Sequence, residues 1–218
     1  MVASFHSLER QDEFVYALFG DMRDGFFLDV SCQHPIEASN TCFFEQELGW
    51  SGLGFDWVNA THWTGPFNWE ERRPKTKFIQ MNVLTEEFTQ ALLDNVPKDR
   101  VVDYISLDVD TETPQGHINL GWQALTRMIN GGVRFKVMTL EHEFYTQGEN
   151  VRFPTRLLLE SLGYRLLFPN VLLVPTSFYR QFEDWWIHPK YFRDDIGNYG
   201  GENLDFNQCI ERIKGYKP

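Results

Sequence analysis

The sequence has few cysteines and no cysteine pairing motif. Cys32, Cys42 and Cys209 are odd in number, and no C-x-x-C spacing joins them. The odd count and the missing C-x-x-C spacing suggest neither a disulfide framework nor a zinc ribbon. Free cysteines of this kind are typical of a reducing compartment, so we expect a cytoplasmic protein.

A surplus of basic residues and a long apolar segment are also missing. With 20 Lys and Arg against 31 Asp and Glu, the formal net charge is −11. Broad attachment to nucleic acid or to an anionic membrane depends on basic surface, so we expect neither as a partner. No window approaches a membrane span, and the N-terminus has no basic segment followed by an apolar run.

The glycine fingerprint G-x-G-x-x-G is absent as well, which makes a nicotinamide-dependent oxidoreductase a weak alternative. Residues 26–30 instead read FFLDV, an apolar strand with an acid near its end, and a polar turn leads to SNT at 39–41. Ligands of open α/β sheets bind beyond the carboxyl ends of the strands, where the strand order reverses. Residues 26–41 are therefore the candidate cofactor loop.

Strand and helix patterns alternate along the chain. The predicted strands are 26–30, 51–56, 77–83, 101–110 and 135–142, and the predicted helices are 7–22, 42–48, 85–96, 114–130 and 153–162. Residues 57–76 show no period and predict a long loop, whereas 164–168 and 171–174 predict a hairpin around Pro169 and Asn170. This order predicts an α/β fold, a mostly parallel twisted sheet with helices on both faces and an antiparallel C-terminal edge hairpin.

We expect a single domain over residues 1–218. It comprises the N-terminal helix 7–22, a core over 25–180 and a C-terminal tail over 181–218. No internal repeat and no low-complexity tract divides the chain. The oligomeric state is not determined by these patterns.

Five short motifs occur in the order found in a known family. They are DVSCQHP at 29–35, SNT at 39–41, GWSGL at 49–53, ISLDVD at 105–110 and TLEH at 139–142, with EDWWIHP at 183–189 as a further tail motif. Together they resemble the FkbM-type S-adenosylmethionine (SAM)-dependent methyltransferases. Ser31 stands where that family usually has glycine, and Asp56-Trp57 where it often has Glu-Pro.

The resemblance implies a Rossmann-like class I methyltransferase fold and SAM as the cofactor. It further implies an O-methyltransferase acting on a hydroxyl of a sugar or glycan. A methyltransferase-like binding module without catalysis is the alternative, because a serine replaces the family glycine at position 31. Several tryptophans could stack on sugar faces or could simply bury apolar area.

The cofactor would lie against the first three strand ends. Asp29 would face the methionyl amine or order a water in the loop, or it would only cap the neighbouring turn. Asp56 would face the ribose hydroxyls. Residues 39–41 would bind the methionyl carboxylate, or they would serve only as a helix N-cap. Asn82 would contact the adenine edge, or it would form a turn. The candidate cofactor-binding residues are Asp29, Ser31, Ser39, Asn40, Thr41, Asp56, Asn82 and Val83.

Acids and a histidine follow two strands that we expect to be neighbours. A hydroxyl acceptor needs a general base or a metal that lowers its pKa, and strand-end acids can alternatively pair with Arg and Lys. The candidate catalytic residues are Asp108, Glu141, His142 and His34. Asp108, Asp110 and His142 could instead hold a divalent cation, for which oxygen ligands favour Mg or Mn.

Overall fold

A computed structural model describes residues 4–60, 65–109, 119–173 and 180–218. Seven strands form one sheet in the order β3-β2-β1-β4-β5-β7-β6. They are β1 (Phe26–Val30), β2 (Ser51–Asp56), β3 (Thr76–Gln80), β4 (Val102–Leu107), β5 (Phe135–Glu141), β6 (Arg165–Leu173) and β7 (Arg180–Ile187). The first five strands are parallel. The predicted α/β fold is confirmed.

Eight α-helices are described. They are α1 (Gln11–Phe19), α2 (Cys42–Leu48), α3 (Trp69–Arg72), α4 (Glu86–Asn95), α5 (Leu120–Asn130), α6 (Phe144–Gln147), α7 (Glu149–Ser161) and α8 (Phe206–Ile213). Helix α2 has the predicted bounds because Gly49 ends it in the left-handed region with φ 73°. The predicted helix 7–22 is shorter in the structure, since Gly20 terminates it. None of the described helices is long and apolar enough to span a membrane.

Alternate residues of β1 feed two hydrophobic cores. Phe26, Leu28 and Val30 pack with side chains of α4, α5 and α7 on one face of the sheet. Phe27 packs on the other face with side chains of α1, α2 and α8. This period of two places helices over both faces, as predicted.

The antiparallel edge differs in detail from the prediction. β7 pairs with both β5 and β6, so the edge hairpin consists of β6 and β7. Pro169 and Asn170 lie inside β6, where the register shifts between Phe168 and Val171. The predicted turn is therefore a bulge, and the described parts of the two predicted strands belong to the single strand Arg165–Leu173. Residues assigned to the tail supply β7 and α8.

The reversal of strand order positions the site. β1 lies between β2 and β4, so the chain leaves β1 toward one edge of the sheet and returns to β4 on the other side. The carboxyl ends of β1 and β4 therefore border a crevice, which is the usual ligand position in such sheets.

Candidate active site

A cavity of about 230 Å³ lies at the carboxyl ends of β1 and β4. Five of the sequence-predicted site residues line it: Asp29, Ser31, Ser39, Asn40 and Asp108. Residues as far apart in the chain as positions 29 and 108 thus meet at the reversal of strand order. The sequence-predicted cofactor loop is one wall of this cavity.

The loop after β1 is fixed to the end of β2. The backbone N–H groups of Ser31 and Cys32 both donate to the carbonyl oxygen of Phe55, at 2.8 and 3.1 Å. Ser31 has φ 68°, in the left-handed region that favours glycine. The positive φ explains why glycine suits this position, and serine adopts the same backbone conformation here.

Asp56 holds the same loop from behind. Its Oδ2 accepts from the N–H of Gln33 at 2.9 Å, and its Oδ1 accepts from the N–H of Val58 at 3.1 Å. The residue is only 4% exposed. Burial raises the pKa of the Asp56 carboxyl, while these backbone hydrogen bonds lower it. The carboxylate proposed for the ribose is therefore already bonded within the protein.

Asp29 belongs to a buried chain of polar contacts. Thr41 Oγ1 donates to Asp29 Oδ2 at 2.6 Å, and Arg73 Nη2 donates to Thr41 Oγ1 at 3.1 Å. Burial raises the pKa of Asp29 to about 6, although the Thr41 hydrogen bond and the Arg73 charge act in the opposite direction. Thr41 thus lies between Asp29 and a buried cation, and the structure does not place it on the cavity surface.

Arg73 is completely buried and ties the loop to β3 and α2. It donates to Glu45 Oε2 at 2.8 Å, to the Pro35 carbonyl at 2.8 Å and to Thr76 Oγ1 at 3.0 Å. Sequence reasoning missed this residue. The available signal was Glu45, an acid among the apolar residues of α2, because a buried carboxylate needs a partner.

The β4 side of the cavity is built from the segment ISLD. Asn40 Nδ2 donates to Ser106 Oγ at 3.0 Å, which joins the cofactor loop to β4. The N–H of Asp108 donates to the Val30 carbonyl at 3.2 Å, so Asp108 continues the β1–β4 ladder. Asp108 Oδ1 is buried and has no hydrogen-bond partner within the described segments.

Gln11 and Glu183 complete the cavity, and sequence reasoning missed both. Gln11 Nε2 donates to Glu183 Oε1 at 2.7 Å, and Trp185 Nε1 donates to Glu183 Oε2. Burial, with Asp108 nearby, raises the pKa of Glu183 to about 8. The two residues are 172 positions apart, and no local pattern connects them.

The candidate base His142 is buried elsewhere, with 1% of its surface exposed. Its Nδ1 accepts from the N–H of Phe144 at 3.2 Å, and its Nε2 lies 3.6 Å from Asp184 Oδ1. Burial opposes ionisation of Asp184, but the hydrogen bonds from Arg156 lower its pKa to about 2. His142 is not among the residues that line the cavity.

Glu141 and His34 also lie away from the cavity lining. Glu141 ends β5 and faces Glu183 in the β5–β7 ladder. His34 Nδ1 accepts from the N–H groups of Ile36 and Glu37 at 3.1 and 2.7 Å, so it caps its own turn. Partial burial lowers the pKa of His34.

The predicted adenine side lies beyond β3. Asn82 is exposed two residues after the strand, and its Oδ1 accepts from the N–H of Leu84 at 2.9 Å. Val83 packs in the core with α4 and α5. Trp57 follows Asp56 and is 73% exposed. Among the described residues, Trp57 is therefore the exposed large aromatic side chain that directly follows β2.

The suggested metal ligands are not assembled in the described part of the chain. No group of three His, Cys, Asp or Glu side chains there could hold a metal ion. Asp108 lines the cavity, whereas His142 contacts Asp184. Asp110 lies outside the described residues.

Comparison with models of known protein families gives no match, and neither does comparison with curated proteins. Among solved structures, human methyltransferase 10 domain containing protein is 12% identical over 81% of this chain and 80% of its own, with a TM-score of 0.54. SMU.1697c of Streptococcus mutans, solved with S-adenosylhomocysteine (SAH), is 9% identical over 84% and 98%, at 0.53. TrmK of M. capricolum, also solved with SAH, is 14% identical over 88% and 74%, at 0.50.

The comparison with solved structures corrects the methyl acceptor that the sequence predicted. The structural neighbours include RNA methyltransferases, and the prediction of a sugar or glycan hydroxyl is wrong. The prediction that nucleic acid is not a partner is wrong for the same reason. A negative net charge weakens broad attachment to phosphates, but it does not prevent a base from being held by stacking and hydrogen bonds.

The sheet order, the cavity at the β1–β4 crevice and the solved structures lead to the same fold. The order β3-β2-β1-β4-β5-β7-β6 places an antiparallel β7 between β5 and β6 at the edge of a parallel sheet. The chain therefore has the Rossmann-like fold of class I SAM-dependent methyltransferases.

Proposed function

We propose that this protein is a SAM-dependent methyltransferase whose acceptor is a base of a nucleic acid. The observation that carries the proposal is the cavity between β1 and β4, where Asn40, Asp29 and Asp108 meet in a methyltransferase fold. Asp29, Asn40 and Asp108 belong to the motifs that resemble the FkbM-type family. We propose that the chain is a member of that family.

The charge of the cavity suits SAM. Asp29 and Asp108 line it, and no Lys or Arg is among the described lining residues. The sulfonium of SAM is a cation, so an acidic wall favours its binding. Ser39 and Asn40 offer a hydroxyl and an amide for the methionyl end. The exposed indole of Trp57, directly after β2, offers a stacking surface for the adenine.

A second stacking surface lies on the β5 and β7 side. The guanidinium of Arg180 lies 5.0 Å from the ring centroid of Tyr145. Arg180 begins β7 and Tyr145 lies in α6, directly after β5. Both side chains are exposed. Unstacked bases are commonly held on aromatic rings and on Arg guanidinium planes. This pair therefore supports a base as the acceptor.

The methyl group would move in line from sulfur to the acceptor atom. Orientation supplies much of the rate in such a transfer, because both reactants are held in one geometry. Asp108 extends the β1–β4 ladder, so its carboxylate is fixed at the cavity by the backbone. We assign Asp108 the role of receiving the acceptor proton.

Transfer of labelled methyl groups from SAM tests this function. The full chain is incubated with labelled SAM and, separately, with RNA, with single-stranded DNA and with a glycan mixture. We expect incorporation into one of the nucleic acids, and the glycan mixture serves as the negative control. Absence of incorporation into any nucleic acid, together with absence of SAM consumption, would contradict the proposal.

The alternative is a methyltransferase-like module without catalysis. Asp56 favours it, since both of its carboxylate oxygens are bonded within the protein and the side chain is buried. That alternative predicts that Asp108→Asn leaves the biological activity of the protein unchanged. The methyltransferase proposal predicts that the same substitution abolishes it.

A further inference from the structure

Two buried oxygen atoms of the cavity lack a hydrogen-bond donor among the residues that the structure describes. They are Oε1 of Gln11 and Oδ1 of Asp108. Gln11 is only 5% exposed. Both residues line the same cavity. Buried polar atoms are usually hydrogen-bonded. An unpaired buried oxygen on a residue that lines a cavity is therefore suited to a donor on a ligand.

Glu183 fixes which end of the Gln11 amide is left unpaired. Its Oε1 accepts from Gln11 Nε2 at 2.7 Å, and its Oε2 accepts from Trp185 Nε1. While Glu183 is ionised, above its raised pKa of about 8, turning the amide over would place the Gln11 oxygen against an oxygen of the Glu183 carboxylate. Glu183 is thus a positioning residue, and it keeps Gln11 Oε1 available as an acceptor.

The number of donors needed distinguishes the classes of acceptor group. A hydroxyl carries one hydrogen and can serve only one of the two oxygens. A ring carbonyl carries none and would face two acceptors without a donor. An exocyclic amino group carries two N–H bonds and can serve both.

We propose that the methylated group is the exocyclic amino group of a nucleobase, held by N–H bonds to Gln11 Oε1 and Asp108 Oδ1. The inference rests on the proposed function and names its substrate class. The N–CH3 bond forms as the S–CH3 bond breaks, and the sulfonium becomes the thioether of SAH. The nitrogen loses one proton, which passes to the Asp108 carboxylate.

Paired nucleosides test the amino group directly. Adenosine and inosine differ by an amino group against a carbonyl, and so do cytidine and uridine. Each is titrated into the full-length protein by calorimetry, with and without SAH, at a pH above the raised pKa of Glu183, which is about 8. We expect the amino member of at least one pair to bind tenfold or more tightly than its partner. Equal binding in both pairs, a preference for the carbonyl member or absence of all nucleoside binding would overturn the inference.

Three variants then test which residues cause the preference for the amino group. Gln11→Leu should remove the difference within a pair while SAH binding stays within twofold, because Gln11 is assigned to the acceptor and not to the cofactor. Glu183→Gln should weaken the difference only partly. The amide oxygen of the new glutamine can still accept from Gln11 Nε2 in one of its two orientations. Gln46→Leu, at an exposed position of α2, should change neither. Loss of SAH binding in Gln11→Leu would show that Gln11 contacts the cofactor and would overturn the inference.

Product analysis separates this inference from the proposed function. Methylated RNA or DNA is digested to nucleosides, which are identified by mass and chromatography. A nucleoside methylated on its amino nitrogen is the expected product. A 2′-O-methyl or carbon-methylated product would overturn the inference but leave the proposed function intact. Absence of methyl transfer with an intact amino preference in calorimetry would contradict the proposed function alone.

Discussion

The two walls of the cavity differ in how their polar groups are paired. The cofactor wall is formed by residues 31–41 and Asp29, and Asp56 and Arg73 support it from behind. There the buried carboxylates and the guanidinium bond to the Thr41 hydroxyl or to backbone groups. On the acceptor wall, formed by Gln11, Asp108 and Glu183, two buried oxygens have no donor within the described residues.

This difference separates structural polarity from ligand-facing polarity. Paired groups contribute to the shape and stability of the loop, so their removal should damage folding. Unpaired groups carry a desolvation cost in the free protein, so their removal should spare the fold and damage function. The predictions below test the contrast, beginning with the largest expected effect.

Asp108→Asn should break the acceptor wall. The substitution preserves size but removes the carboxylate that receives the proton. General base catalysis contributes about 10²- to 10⁴-fold, so we expect the methyl-transfer rate to fall by that factor. Urea unfolding should show an unchanged or slightly raised stability. A rate within about threefold of wild type would exclude Asp108 as the base.

Arg73→Leu should break the cofactor wall. It leaves Glu45 as a buried carboxylate without its cation, and breaking a buried pair in this way costs about 3–5 kcal/mol. Urea unfolding measures the loss. Arg72→Leu is the matched control, because Arg72 is exposed and surface substitutions usually stay within about 0.5 kcal/mol. Equal effects of the two variants would contradict the role of Arg73.

Glu183→Gln should change the pH dependence of stability. Burial raises the pKa of Glu183 to about 8 from an ordinary value of about 4.5. The folded chain therefore keeps a proton that the unfolded chain releases. The stability from this group is fully present below about pH 4.5 and is lost as the pH rises to about 8.

Urea unfolding of wild type and Glu183→Gln at the two ends of this range measures the effect. Relative to wild type, the free energy of unfolding of the variant should be more favourable at the high-pH end than at the low-pH end. We expect this change to exceed about 1.4 kcal/mol, the equivalent of one pKa unit. Contributions of Asp29 and Asp184 cancel in this difference. Parallel pH profiles would contradict the raised pKa of Glu183.

Ser31→Gly should have the smallest effect. A non-glycine residue in the left-handed region costs about 1–2 kcal/mol, and the greater freedom of glycine in the unfolded chain offsets about 0.5–1 kcal/mol of that. We expect a net gain of about 0.5–1 kcal/mol in stability and slightly tighter SAH binding. Ser31→Ala is the control, because it retains the Cβ. A glycine variant that binds SAH more weakly than wild type would show that the serine side chain contacts the cofactor.

Local signals in the sequence determine much of the cofactor wall. β1, α2 and β2 have the predicted bounds, since each combines an apolar run with a clear end. The acid near the end of β1 and the Asp108 motif also reach the same cavity, as the parallel sheet requires.

The acceptor wall depends on contacts that no local pattern shows. Gln11 and Glu183 meet only because β7 inserts between β5 and β6. Asn170 resembled a turn residue but lies in a bulge of β6, where it accepts hydrogen bonds from Arg152 and Arg156. Arg73 lies in a polar segment of the sequence, where it resembles a surface arginine, but the structure buries it completely.

Calorimetric titration of the full chain with SAH tests the central claim most directly, namely that the cavity between β1 and β4 is the cofactor pocket. We expect one saturable site with a Kd below about 1 mM, which corresponds to more than about 4 kcal/mol of binding free energy. Asn40→Leu, on the cavity wall, should weaken this binding at least about tenfold. Absence of saturable binding in the wild type, or an unchanged Kd in Asn40→Leu, would contradict the account.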